Sequence, residues 1–491
     1  MDEAVSQHIN TDEMVRKETG SSASAWSKEE FGEAELGDKR RTRRLVRMAA
    51  RAALAPSGKV SEVFQDDAER QGAYDLLENE HINVEALLAA MGGAVAGRGQ
   101  GQPFIFTPVD GSSLTLVDRA GSKDFGSIGS PVGAEGQTAR GIKVISAIGV
   151  DPQGIPLGIL AMTYWTRQGV QQRPSRQRRL EDKETKHWIA AIEQAIAHMA
   201  SVADQTRCWF QIDREGDSQL ILEHLSKCGH LYTVRGAWNR KVRDEGGHRR
   251  YLYDVLARKA PMGTYTMRVS EGPGRSAREA KMSVRFAPVT IALKNRPSTS
   301  SRALQSNAIW VREEGRMPAG AQRIEWLLLT NHPVETMEDA CLVIYGYTQR
   351  WRIEEFHRTW KQGRCNVEST QLHSTEHVKI WATILAAVSM RIERLKYLSR
   401  NHPDLPATEE LSNYELQALV ILKRKHKKKT ERMPNRTPTI AQATRWLADL
   451  GGYTGKSSGG PPGAVTIGRG LDYVTPAATL LEALDKAGRL R

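Results

Sequence analysis

Long hydrophobic runs are missing from this chain. No apolar stretch approaches the roughly 18 residues that a membrane span needs, and the polar N-terminus of mixed charge does not read as a signal peptide. Cysteine is scarce: Cys208, Cys228, Cys341 and Cys365 are scattered, with no CxxC pair and no histidine at ligand spacing. That argues against a zinc site and a disulfide scaffold, and fits a reducing cytoplasm. Acid is short relative to base, 57 Asp+Glu against 70 Lys+Arg, which leaves a formal net charge of +13. Such a surface attracts polyanions, nucleic acid foremost, although a basic enzyme of another kind has the same balance.

What is present is enough chain for two or three domains, 491 residues in all. Residues 1–24 are polar and suggest a flexible leader. Residues 25–95 read as a helical domain. Asp38 is placed to cap a helix that begins at Lys39 and stops at Pro56-Ser57-Gly58, and Ala68, Gly72, Tyr74, Leu76 and Leu77 mark a second helical stretch. From 96 strand signals dominate: Phe104 to Val109 running into Asp110, then Leu114 to Val117, Lys143 to Val150 and Ile155 to Trp165. A helix over 181–202 follows, with Trp188, Ile189, Ile192 and Ile196 on one face. A short strand, Cys208 to Ile212, ends at Asp213; a helix (Ser218 to Cys228) and a strand (Leu231 to Val234) come next. Residues 236–330 lack a long helical pattern, and segments such as Thr264 to Val269, Met282 to Leu293 and Trp326 to Thr330 suggest a β-rich insertion. Helix resumes near Met337. Residues 401–491 read as a helical C-terminal domain, interrupted by a Gly/Pro/Ser loop from Gly451 to Gly463 and by the basic run 423–429, a solvated segment as readily as a DNA contact.

This order of elements, with Asp110 on a first strand, Asp213 at the end of another and Glu354 on a distant helix, is the layout of an α/β, ribonuclease H-like catalytic core over 96–400. Phosphodiester cleavage by two Mg²⁺ ions about 4 Å apart needs hard oxygen ligands converging from separate elements. Singly, Asp110 could be a turn residue and Asp213 a helix cap. The stretch Tyr347 to Lys361 adds weight. At 100° per residue Arg350, Glu354 and Lys361 fall at about 300°, 340° and 320° from Tyr347, all four within an arc of about 60°. A solvated charged stripe accounts for the charges but not for Tyr347 or the narrowness of the arc.

The spacing Tyr347, Arg350, Glu354, Lys361 resembles the signature of the IS-four group of DDE transposases. The likeness runs through Leu36 to Thr42, Gln71-Gly72-Ala73-Tyr74, Asp213-Arg214-Glu215, Trp326 to Thr330 and Arg350 to His357, nearly the whole chain from Trp26 onward. It implies a cut-and-paste transposase of the bacterial cytoplasm, associated with the nucleoid. Asp110, Asp213 and Glu354 would hold two Mg²⁺ ions, with Mn²⁺ as a substitute. Tyr347, Arg350 and Lys361 would hold phosphates near the cut, with Arg235 as a further active-site arginine. Trp326 would stack on a base flipped out of the transposon end, or else serve as a core tryptophan ahead of a Leu-Leu-Leu strand. Lys39, Arg40, Arg41, Arg43, Arg44, Arg47 and Arg51 form an acid-free basic helix, in the region with which the family binds the terminal repeat. The C-terminal domain, only loosely similar, would pair the chain as a homodimer on double-stranded DNA of transposon ends and target. Rival classes fit less well. A tyrosine recombinase needs no carboxylate triad, and a free-standing nuclease needs neither the arginine helix nor Trp326. A non-catalytic DNA-binding regulator would not need the three acids.

Overall fold

The computed structural model describes residues 22–118, 121–131, 138–167, 183–269, 277–294, 301–318, 320–426, 433, 436–455 and 460–489. Helices open it: α1 (Ser22–Phe31), α2 (Lys39–Leu54), α3 (Val60–Val63), α4 (Asp67–Leu77) and α5 (Val84–Gly99). Caps set their starts, since the side chains of Asp38, Asp66 and Asn83 accept the backbone N–H groups of Arg40, Glu69 and Ala86. Ser22 to Ser24, expected as the end of a flexible leader over 1–24, form the first turn of α1; the remainder of that expectation, residues 1–21, lies outside the described residues.

The sheet holds β1 (Phe104–Thr115), β2 (Gly126–Pro131), β3 (Thr138–Val150), β4 (Pro156–Trp165), β5 (Arg207–Ile212) and β6 (Leu231–Arg235), with α6 (Thr185–Ala200) and α7 (Gln219–Leu225) between its later strands. Residues 236–330 supply β7 (Lys241–Arg243), β8 (Arg249–Tyr251), the short α8 (Leu252–Ala257), β9 (Gly263–Val269), β10 (Arg278–Lys294), β11 (Ser301–Glu313) and β12 (Glu325–Thr330). The strand order is β2-β3-β1-β5-β6-β12-β11-β10-β7-β8, with β4 on β3 and β9 on β10. β1, β5 and β6 run parallel, β3 and β4 are antiparallel additions, and β12 joins antiparallel to β6. The β-rich insertion thus continues the central sheet through β12.

One expectation fails here in an informative way. Phe104–Val109 and Leu114–Val117 were separate strands in the sequence pattern, yet β1 is continuous and carries Asp110 in its middle. The polar Gly111-Ser112-Ser113 looks like a turn, but its backbone pairs residue by residue with Ile145, Val144 and Lys143 of β3. Asp110 is therefore no turn residue.

Beyond the sheet come α9 (Met337–Thr348), α10 (Trp351–Lys361), α11 (Thr375–Asn401), α12 (Asn413–His426), α13 (Ile440–Leu450) and α14 (Ala464–Lys486). Gly346 allows α9 to lie on the sheet: a Cβ there would sit 2.5 Å from the Phe106 ring. The 27-residue α11 is the spine of the molecule. Its buried Val378, Trp381 and Leu385 share one core with Leu45, Met48, Leu76 and Leu77 of the N-terminal helices, and Trp381 Nε1 donates to the Gly58 carbonyl at 2.9 Å. Farther along, its Leu395 and Leu398 join Leu419, Leu447, Ile467 and Leu471 in a separate C-terminal core. No helix among the described residues is long and apolar enough to cross a membrane.

Candidate active site

The parallel register of β1 and β5 fixes the first two acids. Val109 is opposite Ile212, so the next residues, Asp110 and Asp213, sit side by side where the two strands diverge, about one strand spacing of 4.8 Å apart. Asp213 is not a helix cap, because α7 is capped by Ser218; its Oδ1 accepts the Glu215 N–H at 2.8 Å in the turn after β5. Glu354 arrives from α10 and is joined to Asp110 through a shared arginine. Arg350 Nη2 lies 2.5 Å from Glu354 Oε1 and Nη1 lies 3.6 Å from Asp110 Oδ2.

Burial and crowding show in the electrostatics. The Asp110 carboxyl is pushed up to about 7, first by loss of water and then by the charge of Asp213, with Glu354 adding to it; Arg350 and the Gly111 N–H pull the other way. Among the described residues no trio of His, Cys, Asp or Glu is drawn up to metal-ligand spacing. Arg350 instead bridges two of the three acids as their countercharge. Mutually repelling carboxylates held by one arginine are hard-oxygen donors that suit a divalent cation.

Around the acids stand groups with unused hydrogen-bonding capacity. Tyr347 is buried, and its hydroxyl faces the guanidinium groups of Arg235 and Arg350, yet it has no partner in hydrogen-bonding geometry; neither has Arg235 Nε or Arg350 Nε. Arg235 also donates through Nη2 to the Glu325 carbonyl at 3.2 Å. Buried donors without acceptors are costly, and three of them beside one cluster of acids are suited to phosphate oxygens. Trp326, half-buried on β12, meets the Tyr347 ring edge-on at 5.8 Å, so it borders this group of residues while packing against the core.

The signature stretch is not one helix. α9 ends at Thr348 and α10 begins at Trp351. Between them the bonds shorten to i,i+3, with Gln349 N–H on Gly346 O, Arg350 N–H on Tyr347 O and Arg352 N–H on Gln349 O. Gln349 and Arg350 keep helical dihedrals, so the chain tightens without turning away, and Tyr347, Arg350 and Glu354 still converge. Lys361 does not reach the acids. It pairs at 3.6 Å with Glu368, whose Oε1 takes the Thr115 N–H at the far end of β1; seven helical residues place it about 10 Å from Glu354.

Three contributors escaped the sequence pattern. His357, buried one turn after Glu354, has its Nε2 3.2 Å from Ser146 Oγ, and Ser146 is the β3 partner of Asp110; this contact ties α10 to the sheet. Asp217 accepts the Ala237 N–H at 2.7 Å and pairs with Arg240. Trp351 stands 54% exposed at the start of α10 with the Arg350 guanidinium 5.3 Å from its ring. A buried histidine and a buried aspartate reveal their partners only in the folded chain, but an Arg-Trp pair inside the signature was a visible cue.

On α2, Lys39, Arg40, Arg43, Arg44 and Arg47 are exposed. Arg44 nevertheless lies over Gly72 of α4, where any Cβ would collide with its guanidinium. Arg41 donates to the Leu36 carbonyl at 2.9 Å and Arg51 faces Glu69 at 3.4 Å, so both are partly spent on structure. In the basic run, Lys423 is buried and bonded to Asp449 at 2.9 Å, and 427–429 lie outside the described residues.

Comparison with known families gives two matches. Residues 23–82, which include α2, match the family model described as transposase DNA-binding. Residues 183–391, which include Asp213 and Glu354 while Asp110 precedes them, match the one described as transposase DDE domain.

Proposed function

Because the chain is a DDE-type transposase, a metal-dependent enzyme that binds DNA, we propose that it excises and inserts a DNA element by cut-and-paste chemistry of the IS-four kind, on a ribonuclease H-like core. The observation that supports this reading best is that burial raises the Asp110 carboxyl to about 7, with the nearby charges of Asp213 and Glu354 adding to the shift.

In this reading the three carboxylates hold two Mg²⁺ ions, with Mn²⁺ able to substitute. Such ions activate the attacking oxygen and stabilise the leaving one. The chain's own groups do the rest. Arg350, Arg235 and the Tyr347 hydroxyl take the phosphate oxygens at the cut, which their unpartnered atoms support, and Lys361 steadies the strand about 10 Å away along α10. Water first hydrolyses one strand at the transposon end. The freed 3′-hydroxyl then attacks the opposite strand, releasing the flanking DNA and leaving a hairpin, which is hydrolysed and joined to target DNA. Tyr347, buried between two arginines, acts as a hydrogen-bond donor and forms no covalent link to DNA. Trp326 receives the end base that must leave the stack. Exposed Lys39, Arg40, Arg43 and Arg47 grip the terminal repeat, with Arg44 beside them. Two chains work as a homodimer bridged by DNA, which the exposed Val465, Tyr473 and Leu480 on α14 favour: at 100° per residue they fall within about 80° of one another.

Asp110→Asn, Asp213→Asn and Glu354→Gln should each lower strand cleavage with Mg²⁺ at least a thousandfold while leaving binding of an end duplex within a few-fold. Robust cleavage by any of the three would remove that residue from the mechanism.

A further inference from the structure

From the β7–β8 hairpin and the loop that leads into it we infer a second DNA-binding surface, separate from α2 and set about six base pairs from the cut. The inference rests on the transposase reading above. Register puts Lys241 opposite Tyr251 and Arg243 opposite Arg249, and all four side chains are exposed. The alternation sends Val242 into the core instead. One outer face of the short hairpin that ends the sheet therefore presents three cations and an aromatic, with Lys241 Nζ 5.5 Å over the Tyr251 ring.

Arg250 and Lys259 nearby are matched by Asp244 and Glu245. Among the described residues, Lys241, Arg243 and Arg249 have no carboxylate partner. Arg243 directly across from Arg249 is a like-charge pair, which destabilises a ladder, and only Arg243 is partly spent on the fold, its Nη1 donating to the Gly247 carbonyl in the turn at 3.0 Å. A polyanion lying across the hairpin turns that cost into attraction, and phosphates are the anion that this enzyme handles.

Trp238, in the loop that leads into the hairpin, is 68% exposed. It is not on a loose loop. The neighbouring Ala237 N–H is held by Asp217 Oδ2 at 2.7 Å, the Arg240 guanidinium pairs with the same fully buried carboxylate, and Asn239 Oδ1 takes the Tyr253 N–H at 3.0 Å. Asp217 lies in the segment that follows Asp213, so the active-site loop and the Trp238 loop are clamped together. Six residues from Arg235 to Lys241 span at most about 20 Å, and four strand spacings from β6 to β7 give much the same distance. At 3.4 Å per base pair that is about six pairs of duplex. The occupant is duplex DNA leaving the active site, its phosphates on Lys241, Arg243 and Arg249 and its sugars against Trp238 and Tyr251. It belongs either to the transposon end with its flank or to the target.

The test uses the full chain carrying Lys241→Ala, Arg243→Ala and Arg249→Ala together, and separately Trp238→Ala, each confirmed folded by thermal melting. Binding is followed against salt on an end duplex with ten base pairs of flank and on an unrelated duplex standing for target. The triple variant should lose up to about 2.7 in log–log salt slope, at 0.9 per lost phosphate contact, and Trp238→Ala should weaken binding several-fold at an unchanged slope. A loss on the end duplex assigns the surface to the transposon, and a loss on the unrelated duplex to the target. Unchanged slopes on both, in a folded triple variant whose wild type binds, overturn the surface alone. A wild-type chain that binds neither duplex overturns the transposase reading, and the surface with it.

Discussion

His357 shows how one buried side chain can fix the helix that carries Glu354. Its ring bridges α10 to Ser146, and burial pushes it down to about 3, with Lys361 adding to the shift. The folded chain holds it neutral, whereas the unfolded chain protonates it near the ordinary value of about 6.5. Its contribution is thus fully present above pH 6.5 and is lost as the pH falls from there toward 3, at up to about 1.4 kcal/mol per pH unit. His357→Asn should give a melting temperature that falls less steeply than the wild type between pH 6.5 and 4; identical slopes would mean that His357 titrates normally. Trp326 is the other residue whose role can be separated by measurement. It contacts the Tyr347 ring and no carboxylate, so the first nick should survive its loss. Base–aromatic stacking is worth roughly 1–3 kcal/mol and 1.4 kcal/mol is a factor of ten. Trp326→Ala should therefore slow hairpin formation about ten- to a hundredfold while nicked DNA accumulates. Nicking and hairpinning that fall together in a destabilised variant would make Trp326 structural.

At the scale of elements, α2 is a helix with a division of labour. Leu45, Met48, Ala49 and Ala52 are buried, Arg41 and Arg51 serve the fold, and Arg40, Arg43 and Arg47 face outward. Replacing those three with alanine should flatten the salt dependence of end binding by roughly 0.9 in log–log slope per contact, with a melting temperature close to the wild type. An unchanged slope would place the terminal repeat elsewhere. The basic stripe of α2 was legible because helical period and the Asp38 cap are local signals, and β5 running into Asp213 was legible as a short apolar run. β1 was not, because Gly111-Ser112-Ser113 carries turn composition and is held extended only by its partner β3. The break between α9 and α10 was also invisible, since Gln349 and Arg350 remain helical and only their hydrogen bonds change. The site followed the same rule. Asp110, Asp213 and Glu354 could be named as candidates from spacing and resemblance, whereas Arg350 bridging two of them, Lys361 standing apart on Glu368 and Asp217 clamping two loops depend on contacts between distant segments.

For the whole molecule the proposed cut-and-paste reaction raises the matter of how one kind of chain would cut two ends. A single protomer has one carboxylate cluster and one α2. α11 joins them in cis, since its first half packs on the N-terminal helices and on the sheet alike, and its last turns enter the C-terminal core with α14. If α2 grips a duplex as proposed, that link fixes the direction in which the duplex leaves its own chain. If two protomers pair through the exposed α14 residues, the resemblance implies that this duplex enters the partner's active site. Mixing separates the arrangements. Glu354→Gln keeps α2 but cannot cut, and a chain with Arg40, Arg43 and Arg47 replaced keeps its acids but cannot hold an end; each should be inactive alone. In a trans arrangement the mixed dimer contains one productive pairing, the intact α2 of the first chain with the intact acids of the second. About half of randomly mixed dimers are of that kind, so single-end cleavage should return to a substantial fraction of wild type while cutting of both ends stays defective. In a cis arrangement every protomer lacks one half of what it needs, and no mixture restores cleavage. Mixed dimers that are shown to form by differential tagging, and still fail to cut, would exclude the trans arrangement.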